Sequence, residues 1–345
     1  MPRPIIPPGV SPGIRPGIRP IIPPGVSPGI RPGIRPIIID TDPGIDDAVA
    51  ILLALAAPEL QVLGLVAVAG NLPLAATARN ALSILELAGR PEIPVHAGCP
   101  RPIGRNPVDA EHAHGAGGLG GLVLPLPAIA ARPEHGVFYL IDKLRAAEPR
   151  SITVCALGPL TNIAMALVAA PEIAAGIAEL VVMGGASHGA GNATPAAEFN
   201  IHADPHAAAL VFDSGVPITM VPLDVTGGVR STPERIAPIR AMATRCGAAI
   251  ADLLGPRRAL GQPPMAMHDP CVIAYLLAPE LFQGREVPET REVNVAIETQ
   301  SPLAIGMTVV DWRGLSGRRP NARVIETADA DGVYRLLAER FARLP

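Results

Sequence analysis

Four aspartates lie within eight residues of one another in the run Asp40-Thr41-Asp42-Pro43-Gly44-Ile45-Asp46-Asp47. So many carboxylates cannot all ionise side by side unless a cation compensates their charge. Hard divalent ions such as Ca²⁺ and Mg²⁺ take oxygen ligands. We therefore interpret residues 40–47, the acidic turn, as part of a metal site. A simpler interpretation, an N-capped turn with solvated acids, would suffice for one or two aspartates.

Two other acidic motifs begin in a similar way. An EF-hand loop that starts at Asp40 would need an acid or amide at its fifth position, glycine at its sixth and glutamate at its twelfth, and the sequence has Gly44, Ile45 and Ile51 there. A phosphatase of the haloacid dehalogenase type also starts with Asp-x-Asp after an apolar strand, with the first acid as nucleophile. That family needs a downstream lysine to hold phosphate, and Lys143, the only lysine in the chain, falls on an expected exposed helix position. The EF-hand fails, and the phosphatase stays as the weaker alternative.

The acidic turn is expected to join a strand to a helix. The β-branched run Ile37-Ile38-Ile39 before it is typical of a buried strand, and the apolar residues 48–57 after it favour a helix. Pro43 fixes φ and Gly44 permits positive φ, as turns require. The last two aspartates then fall at a helix N-terminus, where negative charge is tolerated.

The rest of the chain repeats this alternation. Buried strands are predicted at residues 62–69, 152–156, 180–183, 218–221, 293–298 and 307–311, and helices at 73–88, 136–147, 160–169, 205–213 and 328–343. Apolar strands that alternate with helices indicate a largely parallel sheet. With 345 residues, the chain is long enough for one large core. We predict a single α/β domain over residues 37–345, with a mostly parallel central sheet and helices on both faces.

Polar or glycine-rich segments come directly after five of the predicted strands. These segments are residues 40–47, 70–71, 158–162, 184–185 and 223–224. In open parallel α/β sheets, ligands bind outside the carboxyl ends of the strands. We therefore expect the residues that bind ligands and react to lie together at one edge of the sheet. For Asp224 alone we favour an ordinary turn between strand and helix.

Residues 184–204 show little regular pattern but are rich in polar side chains. A loop of this length inside a compact domain is usually functional. Its amides and acid, Asn192, Glu198 and Asn200 among them, suit the hydroxyls of a sugar. Asp204 precedes a proline and is predicted to cap a helix.

The histidines suggest two further sites. His112 and His114 form a His-x-His pair, but no third soft ligand lies near them in the sequence, which argues against a transition-metal site. His268 precedes Asp269 at the start of an apolar helix. Asp269 could cap that helix, but with the acidic turn upstream it is the better candidate for a distant ligand that completes the metal site.

Residues 1–36 differ from the rest of the chain. A unit of 16 residues that starts at Arg3 recurs from Arg19 and begins again at Arg35. A repeat so rich in proline and glycine cannot bury a core, so we predict an extended or disordered segment. It has no continuous apolar stretch of the kind found in secretory signals.

Composition bounds the class of protein. The chain is 49% hydrophobic and 17% charged, with a net charge of -3; this favours a soluble protein and gives no reason to expect nucleic acid or an anionic membrane as a partner. The cysteines, at positions 99, 155, 246 and 271, have no Cys-x-x-Cys spacing, which indicates free thiols in a reducing cytoplasm.

The motifs taken together resemble the inosine-uridine preferring nucleoside hydrolases, calcium enzymes that cleave the N-glycosidic bond of ribonucleosides. Seven motifs occur in the family's order: Asp40-Thr41-Asp42-Pro43-Gly44-Ile45-Asp46-Asp47-Ala48, Ala69-Gly70-Asn71, His114-Gly115 with Gly117-Gly118-Leu119-Gly120, Leu157-Gly158-Pro159-Leu160-Thr161-Asn162, Val182-Met183-Gly184-Gly185, Ala197-Glu198-Phe199-Asn200 and His268-Asp269-Pro270. The resemblance implies a Rossmann-like sheet and a homodimer or homotetramer.

The resemblance also implies roles for individual residues. The calcium ligands would be Asp42, Asp47, the Leu157 carbonyl and Asp269, with Asp42 as general base. The substrate-binding residues would be Asp46, Asn71, Met183, Asn192, Glu198, Phe199 and Asn200. Asp40 would not contact the metal itself and would lie next to the residues that do.

The base site departs from the family. His268 could donate a proton to a departing purine, and His114 could face a pyrimidine. Residues 257–267 contain no aromatic residue, whereas some members stack the base on a Tyr or Trp there. The sequence around His268 and the segment Gly306-Met307-Thr308-Val309-Val310-Asp311 most resemble the pyrimidine-preferring branch of the family. We expect hydrolysis of uridine and cytidine; a non-catalytic nucleoside-binding protein on the same fold is the alternative.

Overall fold

The computed structural model describes residues 33–255, 264–284 and 290–345. The strands are β1 Arg35–Thr41, β2 Leu60–Ala67, β3 Val95–Ala97, β4 Ile152–Ala156, β5 Ile177–Met183, β6 Ile218–Val221, β7 Phe282–Gln283, β8 Arg291–Ile297, β9 Thr308–Asp311, β10 Ala322–Val324 and β11 Thr327–Ala328. The helices are α1 Ile45–Ala56, α2 Leu74–Leu87, α3 Glu111–His114, α4 Gly136–Arg145, α5 Thr161–Ala169, α6 Phe199–Ala203, α7 Pro205–Phe212, α8 Leu223–Thr226, α9 Pro233–Arg240, α10 Arg245–Leu253, α11 Pro270–Leu277 and α12 Ala330–Phe341.

The central sheet has the strand order β3-β2-β1-β4-β5-β6-β10-β8-β9. Every neighbouring pair from β3 to β10 is parallel, and β8 and β9 add an antiparallel edge. β7 and β11 form a separate antiparallel pair. The predicted α/β fold with a mostly parallel sheet is confirmed.

The sheet is covered on both faces. Side chains of successive strand residues point to opposite faces, and in β1 Ile37 and Ile39 belong to one apolar core while Ile38 belongs to the other. The first core also contains side chains of α1, α10, α11 and α12, and the second contains those of α4, α5 and α7. A strand buried on both faces needs a continuous apolar run, which is what residues 37–39 provide.

The structure moves several predicted boundaries. β1 begins at Arg35, so the last two residues that we assigned to the repetitive segment belong to the domain; the prediction for residues 1–32 lies outside the described residues. The predicted loop of residues 184–204 contains α6, which starts where the Glu198 side chain accepts the N–H groups of Asn200 and Ile201. No helix in the described ranges is long and apolar enough to cross a membrane.

Candidate active site

The acidic turn lies where the strand order changes direction. The chain runs from β1 to β2 and β3 on one side, and later places β4, β5 and β6 on the other side of β1. In α/β sheets such a switch point opens a crevice at the carboxyl ends of the strands. Residues 42–47 leave β1 at this crevice, and Asp46 and Asp47 enter the first turn of α1.

Helix packing brings a distant aspartate to this turn. α11 packs against α1, and Asp269 at its N-terminus makes no side-chain capping hydrogen bond. Carboxylate oxygens of Asp46, Asp47 and Asp269 lie within 4.8 Å of one another, and all three residues are buried. Asp269 therefore faces the acidic turn, as the sequence predicted, instead of capping its helix.

Asp42 is held beside this group. Its Oδ2 accepts the Asn71 N–H at 2.6 Å, while its Oδ1 is buried and has no hydrogen-bond partner among the described residues. Two glycines let the backbone pass close to it, because an added Cβ at Gly70 or Gly158 would lie 2.1 Å or 2.4 Å from a carboxylate oxygen of Asp42. A buried carboxylate oxygen without a donor is where a cation would satisfy the site.

Asp47 is oriented by three donors. The Thr41 hydroxyl donates to Oδ1 at 2.6 Å, and the Gly44 N–H and the Asn71 amide donate to Oδ2 at 2.9 and 3.2 Å. Gly44 is the N-cap residue of α1, and its N–H bonds back to a side chain in the first turn of the helix. The start of α1 thus also orients a candidate metal ligand.

The electrostatics show that these acids need compensation. Burial, followed by repulsion from Asp47, raises the pKa of Asp42 well above its usual range. Burial, followed by repulsion from Asp46, raises the pKa of Asp47 and raises that of Asp269 well above its usual range. Such a cluster either takes up protons or binds a cation.

Asp40 lies apart from the group. Its Oδ2 accepts the Asn162 amide at 2.8 Å, and burial raises the pKa of the carboxyl to about 8. Asn162 in turn accepts the Cys99 N–H at 2.7 Å. Asp40 thus ties β1 to the segment after β4, and its side chain does not line the cavity described next.

A cavity of about 420 Å³ opens beside the carboxylates. All predicted site residues except Asp42 and Asp47 line it, namely Asp46, Asn71, His114, Leu157, Met183, Asn192, Glu198, Phe199, Asn200, His268 and Asp269. Asp42 and Asp47 are fully buried behind this wall. The structure therefore gathers residues from eight separate segments of the sequence around one cavity.

The polar wall is built from α6 and its N-cap. The Asn200 amide donates to the carbonyls of Leu157 at 2.7 Å and Met183 at 3.1 Å. Glu198 accepts the N–H groups of Gly185 at 3.0 Å and Asn200 at 2.9 Å. Burial raises the pKa of Glu198 to about 7, so this acid is close to its midpoint at neutral pH.

Two histidines face the cavity through fixed contacts. Nδ1 of His114 accepts the Ile45 N–H at 3.1 Å, so the ring is held against the first turn of α1. Nδ1 of His268 lies 2.7 Å from the Thr226 hydroxyl, and burial lowers the pKa of this histidine. Each contact engages Nδ1 and leaves Nε2 available to a ligand.

The sequence missed part of the lining. Residues 108–110 and His112, His202, Met265 and Ala266 also line the cavity, and the only signal for them was their nearness to His114, Asn200 and His268 in the chain. Phe199 is the one phenyl, phenol or indole ring among the described lining residues. Residues 256–263, which precede Met265, lie outside the described part of the chain.

Two alternatives lose support. In the ranges that the structure describes, Asp46, Asp47 and Asp269 are the only cluster of three or more side chains with metal-ligand spacing, so His112 and His114 form no such site. Lys143 is exposed on α4, 5.8 Å from the Tyr139 ring centroid, and does not line the cavity. A phosphatase would therefore lack its phosphate-binding lysine.

Comparison with known proteins gives a consistent result. The sequence model of the inosine-uridine preferring nucleoside hydrolase family matches residues 37–335. An uncharacterized protein of Schizosaccharomyces pombe is 48% identical over 313 residues, 89% of this chain and 99% of its own. The pyrimidine-specific ribonucleoside hydrolase RihA of Salmonella agona is 43% identical over 309 residues, 88% of this chain and 97% of its own.

The fold agrees with solved structures of the same class. The purine-preferring ribonucleoside hydrolase from Gardnerella vaginalis superposes with a TM-score of 0.81 at 30% identity, covering 89% of this chain and 98% of its own. The chain, with its carboxylates at the switch point of β1, therefore belongs to the inosine-uridine preferring nucleoside hydrolase family and is an N-glycosyl hydrolase of ribonucleosides.

Proposed function

We propose that this chain uses Ca²⁺ to hydrolyse uridine and cytidine to ribose and the free base. The observation that carries the proposal is the buried carboxylate group at one end of the cavity, with Asp42 Oδ1 unpartnered among the described residues. Hydrolysis of a nucleoside needs an anionic group that can help to activate water. It also needs polar side chains beside that group to bind the sugar. The cavity offers both within about 420 Å³.

The donor set fits a hard divalent cation. Asp42, Asp47, Asp269 and the Leu157 carbonyl would hold it, which is an all-oxygen set of the kind that Ca²⁺ prefers. Asp46 also lies within the carboxylate group and lines the cavity. We assign Asp46 to the substrate because the family resemblance implies that role. When bound, the cation would lower the pKa of water and attract the ribose hydroxyls.

Asp42 is proposed as the general base. The Asn71 N–H holds Oδ2 of this carboxylate in place, and a carboxylate beside a water that a cation has acidified can accept the water's proton. In the reaction the C1′–N bond breaks and its electron pair goes to the base nitrogen. The water oxygen bonds to C1′, one water proton goes to Asp42, and the departing base gains a proton.

The remaining wall is proposed to bind the sugar. Asp46, Asn71 and Asn200 would take the ribose 2′ and 3′ hydroxyls, and Asn192 and Glu198 the 5′ hydroxyl. The Asn192 side chain accepts the Phe199 N–H at 2.8 Å, which connects these two parts of the loop. Met183 and Phe199 add apolar contact, since they line the same cavity.

His268 and His114 are proposed to assist the departing base through Nε2. A preference for pyrimidines is supported by 43% identity to a pyrimidine-specific hydrolase, compared with 30% to a purine-preferring one. The absence of aromatic residues from positions 257–267 of the sequence also argues against a stacking site for a large base.

The cellular setting is part of the proposal. Cys99, Cys155, Cys246 and Cys271 are free thiols, which supports a reducing cytoplasm. Assembly as a homodimer or homotetramer, with a small nucleoside as the only other partner, rests on the family resemblance.

One panel of assays tests the function. Purified protein, with and without EGTA, is given uridine, cytidine, inosine, adenosine and p-nitrophenyl phosphate, and free ribose and phosphate are measured. We expect calcium-dependent release of ribose from the pyrimidine nucleosides and no phosphate release. Binding of nucleoside without ribose release would indicate a non-catalytic binding protein, and phosphate release would revive the phosphatase.

A further inference from the structure

The short helix α8 contacts one residue of the cavity wall and the segment that leads into the loop with Asn192, without lining the cavity itself. Thr226 is fully buried and Asp224 is half-buried, and neither is among the lining residues. The Asp224 side chain contacts the segment that follows β5, whereas the Thr226 side chain contacts His268 before α11. Two side chains on one turn of helix thus contact two segments that are far apart in the sequence.

Asp224 is more than the ordinary turn residue that the sequence indicated. Its carboxylate accepts the N–H groups of Ser187 at 2.6 Å, His188 at 3.0 Å and Gly189 at 2.6 Å. Burial acts to raise the pKa of Asp224, but these hydrogen bonds outweigh it and the pKa is lowered. An ionised carboxylate that accepts three N–H groups makes strong, charge-assisted bonds and fixes the path of the backbone.

The same segment, residues 185–189, is held by its other neighbours. The Thr308 hydroxyl bonds both the N–H and the carbonyl of Ala186, at 2.9 and 2.5 Å. The Trp312 indole donates to the Ser187 carbonyl at 3.3 Å and stacks on His188 at 4.8 Å. Since the loop that carries Asn192 starts from this segment, its anchoring sets where the 5′ end of the sugar would be bound.

Thr226 acts on the other part of the wall. Its hydroxyl is fully buried and lies 2.7 Å from Nδ1 of His268, which is partly buried. A hydroxyl that donates to Nδ1 leaves the proton of the neutral ring on Nε2. That nitrogen is the one available to the cavity, so the contact determines whether His268 presents a donor or an acceptor to a leaving base.

We propose that α8 positions both the leaving-group end and the 5′ end of the site. Thr226 orients His268 as an Nε2–H donor, and Asp224 places the loop with Asn192 and Glu198. Both are positioning residues, because neither touches the space where substrate would lie. The inference rests on the proposed function for its kinetic signatures, but the tautomer of His268 can be measured without turnover.

Thr226→Val and Thr226→Ser test whether Thr226 orients His268. Each is assayed with uridine and with p-nitrophenyl β-D-ribofuranoside, whose phenolate leaves without a proton. Thr226→Val should lower kcat for uridine by about 10–10²-fold, part of the usual contribution of general acid catalysis, with little change for the aryl riboside. Thr226→Ser, which keeps the hydroxyl, should restore the uridine rate. Thr219→Val, which removes another buried hydroxyl 2.6 Å from Glu179, is the matched control.

Asp224→Asn tests whether Asp224 places the loop that carries Asn192. An amide keeps one acceptor oxygen and cannot replace the carboxylate toward three N–H groups. We expect KM for uridine to rise several-fold and KM for 5′-deoxyuridine to change little, so that the variant loses discrimination for the 5′ hydroxyl. Asp329→Asn is the control, since Asp329 also accepts a backbone N–H, from Gly332, and does not line the cavity.

The outcomes separate the inference from the proposed function. Long-range ¹H–¹⁵N NMR of ¹⁵N-histidine protein should show Nε2–H on His268 in the wild type and a loss of that preference in Thr226→Val. An unchanged tautomer, equal slowing of both ribosides, or equal KM changes for both uridines would overturn the positioning role. Failure of the wild type to release ribose from any nucleoside would count against the proposed function alone.

Discussion

Gly70→Ala is expected to disable the site by moving one carboxylate. An added Cβ would lie 2.1 Å from Oδ2 and 2.9 Å from Cγ of Asp42, and 2.7 Å from Cδ of Pro159. Carbon and oxygen atoms that are not bonded need more than 3 Å, so the carboxylate must move by about 1 Å. That movement also breaks the 2.6 Å hydrogen bond from the Asn71 N–H.

A displacement of about 1 Å in a catalytic group costs roughly 10²-fold in rate, or about 2.7 kcal/mol in activation free energy. We therefore expect kcat for uridine to fall by about 10²-fold at saturating calcium. Overpacking at this site should also lower the free energy of unfolding by about 1–3 kcal/mol. Steady-state ribose release and thermal unfolding measure the two effects.

Gly228→Ala supplies the control. A Cβ there would meet only the Val225 carbonyl, at an ordinary 3.5 Å, so kcat should be unchanged. A folded Gly70→Ala protein with kcat within about 3-fold of wild type would refute the reasoning, because a rate difference below ~0.7 kcal/mol would mean that the position of the Asp42 carboxylate is not critical.

Three more outcomes are expected. Asp42→Asn keeps an oxygen for the cation but cannot accept a proton, so kcat should fall by about 10²–10⁴-fold while nucleoside binding, measured by calorimetry, persists. Burial raises the pKa of Glu198 from 4.5 to about 7; its stabilising contribution is therefore complete below pH 4.5 and lost as the pH rises through 7. Relative to Glu198→Gln, wild type should lose about 3 kcal/mol of unfolding free energy between pH 4.5 and 8, and a constant difference in denaturant titrations would contradict this. Removal of residues 1–32 should leave melting temperature and turnover unchanged; a drop in either would assign the repeat a structural role.

Most of the parallel strands were predictable because they are largely apolar runs of four or more residues. β4 and β6 have the predicted bounds, and β5 ends where expected at Met183. β3 and β10 were missed because they have three residues each, too few for a periodic pattern. α9 was missed because Pro238 lies inside it and its apolar residues are few.

The site residues were predictable where reactive side chains lie next to residues that mark a turn or the end of a strand or helix. The acidic turn, the Asn71 turn and Asp269 each follow or begin a regular element, so the sheet edge brings them together. Asp224 could not be assigned from the sequence, because its role depends on backbone N–H groups 35 or more residues away. The wall from residues 108–114 depends on tertiary packing across α3 and carries no periodic pattern.

Calcium titration of metal-stripped protein tests the central claim most directly. Ribose release from uridine is measured against free Ca²⁺, together with the number of calcium ions bound per chain. We predict that release is absent without metal and returns as one calcium binds per chain, and that Asp42→Asn stays inactive at saturation. Full release by protein that contains no metal would contradict the account.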